Sequence, residues 1–387
     1  MDSNWGPMTR AIHSGELPDD QAVAPPIVMA STFAYASAEE AAHAFETEDR
    51  PIYTRWGNPT LTRLEVQAAA LEGGAAGLAC ASGMAAISTA LLTLLRNGDH
   101  LVVTTGLYAG TFHLVMRHLP QLGVQASVAE AAEPGAFEAA IRPNTRAIYL
   151  ESPGNPTLAL NDLAAIAEIA RGRGITTVID NTFATPVNQQ PLSFGIDLVV
   201  HSATKFFAGH GDAMGGLIVG SAELIDRARK WTLRHYGAVM SPFNAWLIAR
   251  ATETLPLRMA RHNANALALA DWLARHPAVR EVRYPYHPSH PQFELARRQM
   301  RGGGGVVVFI LAGGLEAGRT LLNRVKLIKR TVSLGDTRTL LTHPASTTHY
   351  SVPREARLAA GLPDGLVRMA VGLEDVEDLI ADLEQAL

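Results

Sequence analysis

The sequence predicts an α/β fold: a mostly parallel sheet covered by helices on both faces, followed by a smaller C-terminal α/β domain. Three observations carry this. Short unbroken apolar runs recur from residue 77 to residue 220, and helical patterns separate them; strands buried on both faces have this look. Polar residues recur where those runs end. With 387 residues, the chain is long enough for two ordinary domains with sizeable cores.

Composition narrows the class. Hydrophobic residues make up 47% and charged residues 18%, a globular balance with no disorder signal. The formal net charge of −4 gives no reason to expect nucleic acid or an anionic membrane surface as a partner. Cys80 is the single cysteine; it cannot form an internal disulfide and fits a reducing cytoplasm. The opening MDSNWGPMTRAIHSGE lacks a basic segment followed by an apolar one, so no signal peptide is expected. No apolar stretch is long enough to span a bilayer.

In chain order, residues 1–55 are rich in Pro, Ser and Thr, carry little periodicity, and are expected to form an extended arm. The sheet domain is expected over 56–250 and the C-terminal domain over 251–387. A helix over 62–71 should stop at Gly73-Gly74. Strands are predicted at 77–82, 100–105, 124–130, 146–152, 175–180, 197–202 and 215–220. Helices are predicted at 84–95, 111–119, 136–141 and 161–173, with right-handed crossovers. A long helical stretch over 242–276 contains Pro256, which should kink or break it. Strands near 279–285 and 305–311 and a helix near 315–323 follow. In the last helix Leu373, Val376, Leu379, Ile380 and Leu383 recur at helical spacing.

In open α/β sheets, ligands bind at the carboxyl ends of strands. Ser82, Tyr108, Glu151, Asn155, Asp180, Ser202, Thr204 and Lys205 all fall at such ends. Lys205, in HSATKFF, follows Asp180, in TTVIDNTF, by twenty-five residues. Singly they read as a solvent-facing lysine and a capping acid. As a pair they describe a pyridoxal 5′-phosphate (PLP) site: the lysine carries the aldehyde, and the aspartate keeps a proton on the pyridine nitrogen. Ser82-Gly83-Met84 follows a strand and opens a helix, which is an anion-binding arrangement or an ordinary Ser N-cap. Ser202 and Thr204 can donate hydroxyls to the same phosphate. Tyr53 and Arg55, a Y-x-R on the arm, supply a phosphate-matching guanidinium that could reach a neighbouring subunit, or form a plain surface pair. Tyr108 can stack on a pyridine ring and act as acid or base, or simply pack. Arg368 lies in an alternating strand and needs a carboxylate partner.

Other signals are weak. GHGDAMGG (209–216) lacks the third glycine of a dinucleotide turn and comes late in the sheet. GGGG at 302–305 suggests a bend or a close backbone approach, and His343 and His349 have no metal-site spacing. There is no G-x-S-x-G and no P-loop.

The segments YTRWGNPT, ASGMAAI, ESPGNPT, DNTFATP, HSATKFFAGHGD, SLGDTRTLLTHPASTTH and RMAVGLED resemble, in order, the PLP enzymes of cysteine and methionine metabolism, the cystathionine γ-synthase-like family. The resemblance runs from about residue 8 to 387. It implies the fold-type I PLP-dependent transferase fold, with Lys205 as the cofactor-bearing lysine and proton shuttle. Asp180 would face the pyridine nitrogen, and Tyr108 would stack on the ring and protonate the leaving group. Ser82, Gly83, Met84, Ser202 and Thr204 would hold the phosphate, with Tyr53 and Arg55 arriving from a partner subunit. Arg368 would bind the substrate carboxylate, with Asn155 and Ser333 nearby. Such enzymes are usually tetramers built from two catalytic dimers. Within the family, methionine γ-lyases usually carry Cys where this chain has Gly110. Arg338 stands where cystathionine-cleaving members carry Glu, and a basic residue there suits O-acyl substrates of sulfhydrylases. The expected chemistry is elimination at Cγ of an L-amino acid, with γ-replacement as the alternative.

Overall fold

The computed structural model describes residues 5–16 and 22–387; the expected arm and N-terminal segment therefore lie partly outside the described residues. Seven strands form the first sheet: β1 (Ala76–Cys80), β2 (His100–Thr104), β3 (Gln125–Ala129), β4 (Thr145–Glu151), β5 (Thr176–Asp180), β6 (Leu198–Ser202) and β7 (Gly216–Gly220). Their order is β1-β7-β6-β5-β4-β2-β3. β2 to β6 pair in parallel, and β7 runs antiparallel to both β6 and β1.

Side-chain alternation sends successive residues to opposite layers. Leu101, Val103, Tyr149, Val178 and Val200 pack on one face with Ile87 and Leu91 of the helix Gly83–Leu94. Val102, Ile148, Leu150, Ile179 and Val199 pack on the other with Leu163 and Ile166 of the helix Leu163–Arg171. Each such fully buried aliphatic side chain contributes about 1.5–3 kcal/mol.

The second sheet holds β8 (Val279–Arg283), β9 (Val306–Leu311), β10 (Lys329–Arg330), β11 (Leu340–Thr342) and β12 (Leu366–Ala370), ordered β10-β11-β12-β9-β8. Its core joins Val307 and Phe309 to Leu269 and Leu273 of the helix Leu255–Leu273 and to Leu379 and Leu383 of the final helix. Among the described residues no helix is long and apolar enough to cross a membrane.

Several elements differ from expectation. The arm contains helices Pro7–His13 and Ala38–Thr47. The second is announced by a cap, since Ser37 accepts from the Glu40 N–H at 3.1 Å and Glu40 accepts from Ala36. The helix expected over 111–119 is Ala109–His113 followed by a wide turn (Leu114–His118) and a tight one (Leu119–Leu122), because Pro120 has no N–H to continue the ladder. The 242–276 stretch splits into Pro242–Thr252 and Leu255–Leu273, with Pro256 in the first turn of the latter. The last helix spans Val376–Glu384; Leu373 precedes it and donates its N–H to the Thr337 carbonyl. A helical run from Ala222 to Tyr236 was not expected. The Gly302–Gly305 run makes close approaches: an added Cβ at Gly303 would lie 2.4 Å from the Tyr284 ring.

Candidate active site

The carboxyl ends of β4, β5 and β6 lie side by side, with Glu151 in register with Asp180. Alternation puts Glu151, Asp180 and Ser202 on the face covered by the helix Gly83–Leu94. That helix begins at Ser82, whose hydroxyl accepts from the Ala85 N–H at 3.1 Å. A Cβ on Gly83 would sit 2.8 Å from Ser202 Oγ, so glycine alone lets the helix N-terminus and the Ser202 hydroxyl meet. Free N–H groups and the positive helix end favour an anion there. Thr204 turns its hydroxyl to Gly215, accepting from that residue's N–H at 3.1 Å and lying 3.2 Å from its carbonyl.

Asp180 is half-buried and accepts from the Thr182 N–H at 2.9 Å. Burial pushes its carboxyl above the usual range, while the Thr182 bonds, His201 and Lys205 pull the other way. Lys205 is half-buried and donates through Nζ to Ser333 Oγ at 2.7 Å. Burial, then the Arg368 charge, lowers its pKa.

Arg368 donates to Asn155 Oδ1 and to the Ser333 carbonyl, each at 3.0 Å. Its Nε is buried without a partner, and burial lowers its pKa to about 10. Ser333 thus serves both cations, and its backbone sits at φ 88° to do so, a region unfavourable for a residue with a side chain. Gly335, two residues on, has φ 77°, and a Cβ there would lie 2.5 Å from the Phe206 nitrogen. The loop bearing Ser333 therefore rests on the peptide that follows Lys205.

Tyr108 is 47% exposed, and its backbone N–H donates to Glu151 Oε2 at 2.8 Å. Its ring lies over Gly110, where a Cβ would be 2.6 Å from Tyr108 Cε1 and 2.9 Å from Met84 Sδ. Arg338 is exposed and pairs with Asp336 at 3.4 Å. Neither it nor the pair Tyr53 and Arg55, also predicted, makes contacts that lead into this cluster. Tyr53 and Arg55 are both exposed; Arg55 donates to the Arg234 carbonyl at 2.6 Å and lies 5.4 Å over the Tyr53 ring.

Two functional-looking groups had no role assigned from the sequence. Glu151 stood among the strand-end polar residues without a role. Glu72, fully buried, accepts from Asn181 at 2.8 Å and meets His201 Nε2 at 2.6 Å, bracing the turn after Asp180 from the opposite face; no local pattern marks it. Among the described residues, no three His, Cys, Asp or Glu side chains gather as a metal site.

An anion cradle that a Cβ would fill, a half-buried lysine with a depressed pKa, a half-buried aspartate and an incompletely paired arginine together fit pyridoxal 5′-phosphate and an amino acid. The chain belongs to the Cys/Met metabolism PLP-dependent enzymes, matching that family over residues 8–387. It is 49% identical to the L-methionine γ-lyase of Pseudomonas putida, over 98% of this chain and 96% of that one. It is 43% identical to the O-succinylhomoserine sulfhydrylase of Pseudomonas aeruginosa, over 92% and 89%. Among solved structures it is similar to metB from Corynebacterium glutamicum, with a TM-score of 0.93 and 39% identity over 100% of this chain and 99% of that one.

Proposed function

We propose that this protein is a PLP-dependent γ-lyase that eliminates the γ-substituent of an L-amino acid, either as a methionine γ-lyase or on a related γ-oxy or γ-thio substrate. One observation carries the reading: a basic lysine and a carboxylate-seeking arginine converge on Ser333, the pair of groups an α-amino acid requires. Likeness to a methionine γ-lyase across both chains supports the choice of reaction.

When bound, the cofactor supplies an electron sink for negative charge developing on the substrate. Arg368 holds the substrate α-carboxylate through its fork of donors; Asn155 and Ser333 keep that fork in place. Lys205 would bear the cofactor and, as a free amine, would take the Cα proton and then move a proton at Cβ. Its lowered pKa keeps the uncharged base accessible. Asp180 offers its carboxylate to the proton on the ring nitrogen. Ser82, Gly83, Met84 and Ser202 hold the phosphate, with Thr204 beside them. Tyr108 delivers a proton to the γ-substituent as it departs. Hydrolysis of the unsaturated product gives a 2-oxo acid and ammonia.

A second reading, γ-replacement, is favoured by Arg338, whose side chain is 62% exposed and so available to the distal carboxylate of an O-succinyl ester. Release of 2-oxobutanoate from methionine, homocysteine, cystathionine, O-acetylhomoserine, O-succinylhomoserine and canavanine, with and without added thiol, separates the two. Oxo acid without thiol is the expected outcome; a thioether formed only with thiol would replace the lyase reading. We further propose that the enzyme is a tetramer of two catalytic dimers, completed at each phosphate site by Tyr53 and Arg55 of a second copy, and that it works in the cytoplasm. Its one cysteine, Cys80, is a buried thiol whose pKa burial raises, as suits that setting.

A further inference from the structure

Glu151 has no part in the chemistry above, yet it is buried at the carboxyl end of the inner strand β4. Its Oε2 accepts the Tyr108 N–H at 2.8 Å. The Tyr149 hydroxyl approaches its Oε1 at 3.5 Å. The Thr111 hydroxyl, buried on the helix that starts after Tyr108, borders the same carboxyl. The carboxyl thus ties the β2-to-helix turn to the sheet edge. The side chain it anchors, Tyr108, is half exposed and has a glycine beneath its ring.

We propose that Glu151 is a positioning residue: by holding the Tyr108 main chain against the sheet edge, it sets where the Tyr108 ring and hydroxyl stand at the cofactor site. The inference rests on the PLP site, and γ-elimination enters through only one of its readouts. The acid acts uncharged. Glu151 and Asp180 are register neighbours, and two carboxylates side by side, one buried and one half-buried, cannot both ionise cheaply. Asp180 has the Thr182 N–H, His201 and Lys205 to favour its anion. Burial, and then Asp180 itself, hold Glu151 protonated above the usual carboxylate range. An uncharged carboxyl still offers its carbonyl oxygen to the Tyr108 N–H and adds no second negative charge beside Asp180.

The test uses holoenzyme of five forms: wild type, Glu151→Gln, Glu151→Met, Tyr108→Phe and Glu151→Met/Tyr108→Phe. Methionine fills the glutamate's space without an acceptor, which keeps the fold while removing the tether. Visible circular dichroism of the bound cofactor reports the ring's surroundings and needs no turnover, so it speaks even if the leaving group proves different. Glu151→Met should change that band, and Glu151→Gln should restore it. In 2-oxo acid release, Glu151→Met should lower kcat roughly 100-fold, the scale of a small misplacement of a reacting group, with KM little moved. In the Tyr108→Phe background the same change should cost only a few-fold. An unaltered dichroism band in Glu151→Met, equal kcat losses in both backgrounds, or a Glu151→Gln as damaged as Glu151→Met would each overturn the proposal.

Discussion

Lys205 is reactive because of its surroundings. Burial and the Arg368 charge both disfavour its ammonium, and Asp180 only partly opposes them. The folded pKa lies below the ordinary lysine value of about 10.4, so the unfolded chain binds the extra proton between the two. Lys205 therefore costs the cofactor-free protein stability at low pH, and that cost is relieved as pH rises through the folded pKa. The same sign governs reactivity, since the uncharged amine is the nucleophile. Capture of added pyridoxal phosphate by the cofactor-free protein, followed by absorbance, should accelerate with pH and level off below the range of a free lysine. Arg368→Met, lacking the second cause of the shift, should move that midpoint upward; an unmoved midpoint would show that Arg368 is too well screened to matter. Lys205 and Asp180 were legible in the sequence because strand ends in an α/β sheet are where such groups gather, and Arg368 because a lone arginine inside an alternating strand needs a carboxylate partner. Glu151 stood in that set, but its role was not legible: its partner is a backbone N–H forty-three residues away, and no spacing encodes that.

The helix Leu255–Leu273 carries Arg258 and His262 four residues apart on one face. Arg258, buried, gives its donors to the carbonyls of Phe206 at 2.6 Å, Phe207 at 3.2 Å and Ala251 at 2.8 Å. His262 donates through Nδ1 to the Val371 carbonyl at 2.7 Å and packs edge-on against Phe206. Burial lowers its pKa to about 4, so it stays uncharged at neutral pH. One helix face thus clamps both the turn that follows Lys205 and the exit of β12. Arg258→Met leaves the Phe206 and Phe207 carbonyls short of donors, at about 1–3 kcal/mol for each unsatisfied group, while the Ala251 carbonyl keeps the Thr254 N–H and hydroxyl. Urea unfolding should show a loss on the order of 3 kcal/mol after partial relaxation, together with faster cofactor release on dialysis. A change under about 0.5 kcal/mol would mean the carbonyls find water instead. The inner strands of the large sheet were legible because both faces are buried and their runs are unbroken; β3, at the sheet edge, is partly exposed and was marked by its position between helical patterns. β10 and β11 were not, since two and three residues carry no periodicity. The expected α-helix over 111–119 ends at His113 and widens over Leu114–His118, where the Pro120 ring crowds the carbonyl one turn back, an effect that apolar periodicity does not carry.

On the scale of the whole molecule, some exposed apolar side chains have no role within their own chain. Tyr53, Met214, Tyr236 and Phe243 are each at least 40% exposed, and Arg55 spends one donor on the Arg234 carbonyl beside Tyr236. A Y-x-R that neither packs into its own core nor meets its own Ser82–Met84 turn fits a segment completed by a second copy. This was the part of the site least legible in the sequence, because which chain a residue serves depends on assembly and not on order along the chain. A symmetric dimer gives the idea an arithmetic test. Arg55→Ala should lose cofactor affinity, and Lys205→Ala should be inactive. Unfolding and refolding the two together pairs them at random. Each mixed dimer then holds one site with both residues intact and one with neither. At equal amounts, about a quarter of wild-type sites should return, measured as oxo-acid release at low cofactor concentration. If Arg55 serves its own subunit, no site regains both residues, and activity stays at the level expected from the Arg55→Ala chains alone.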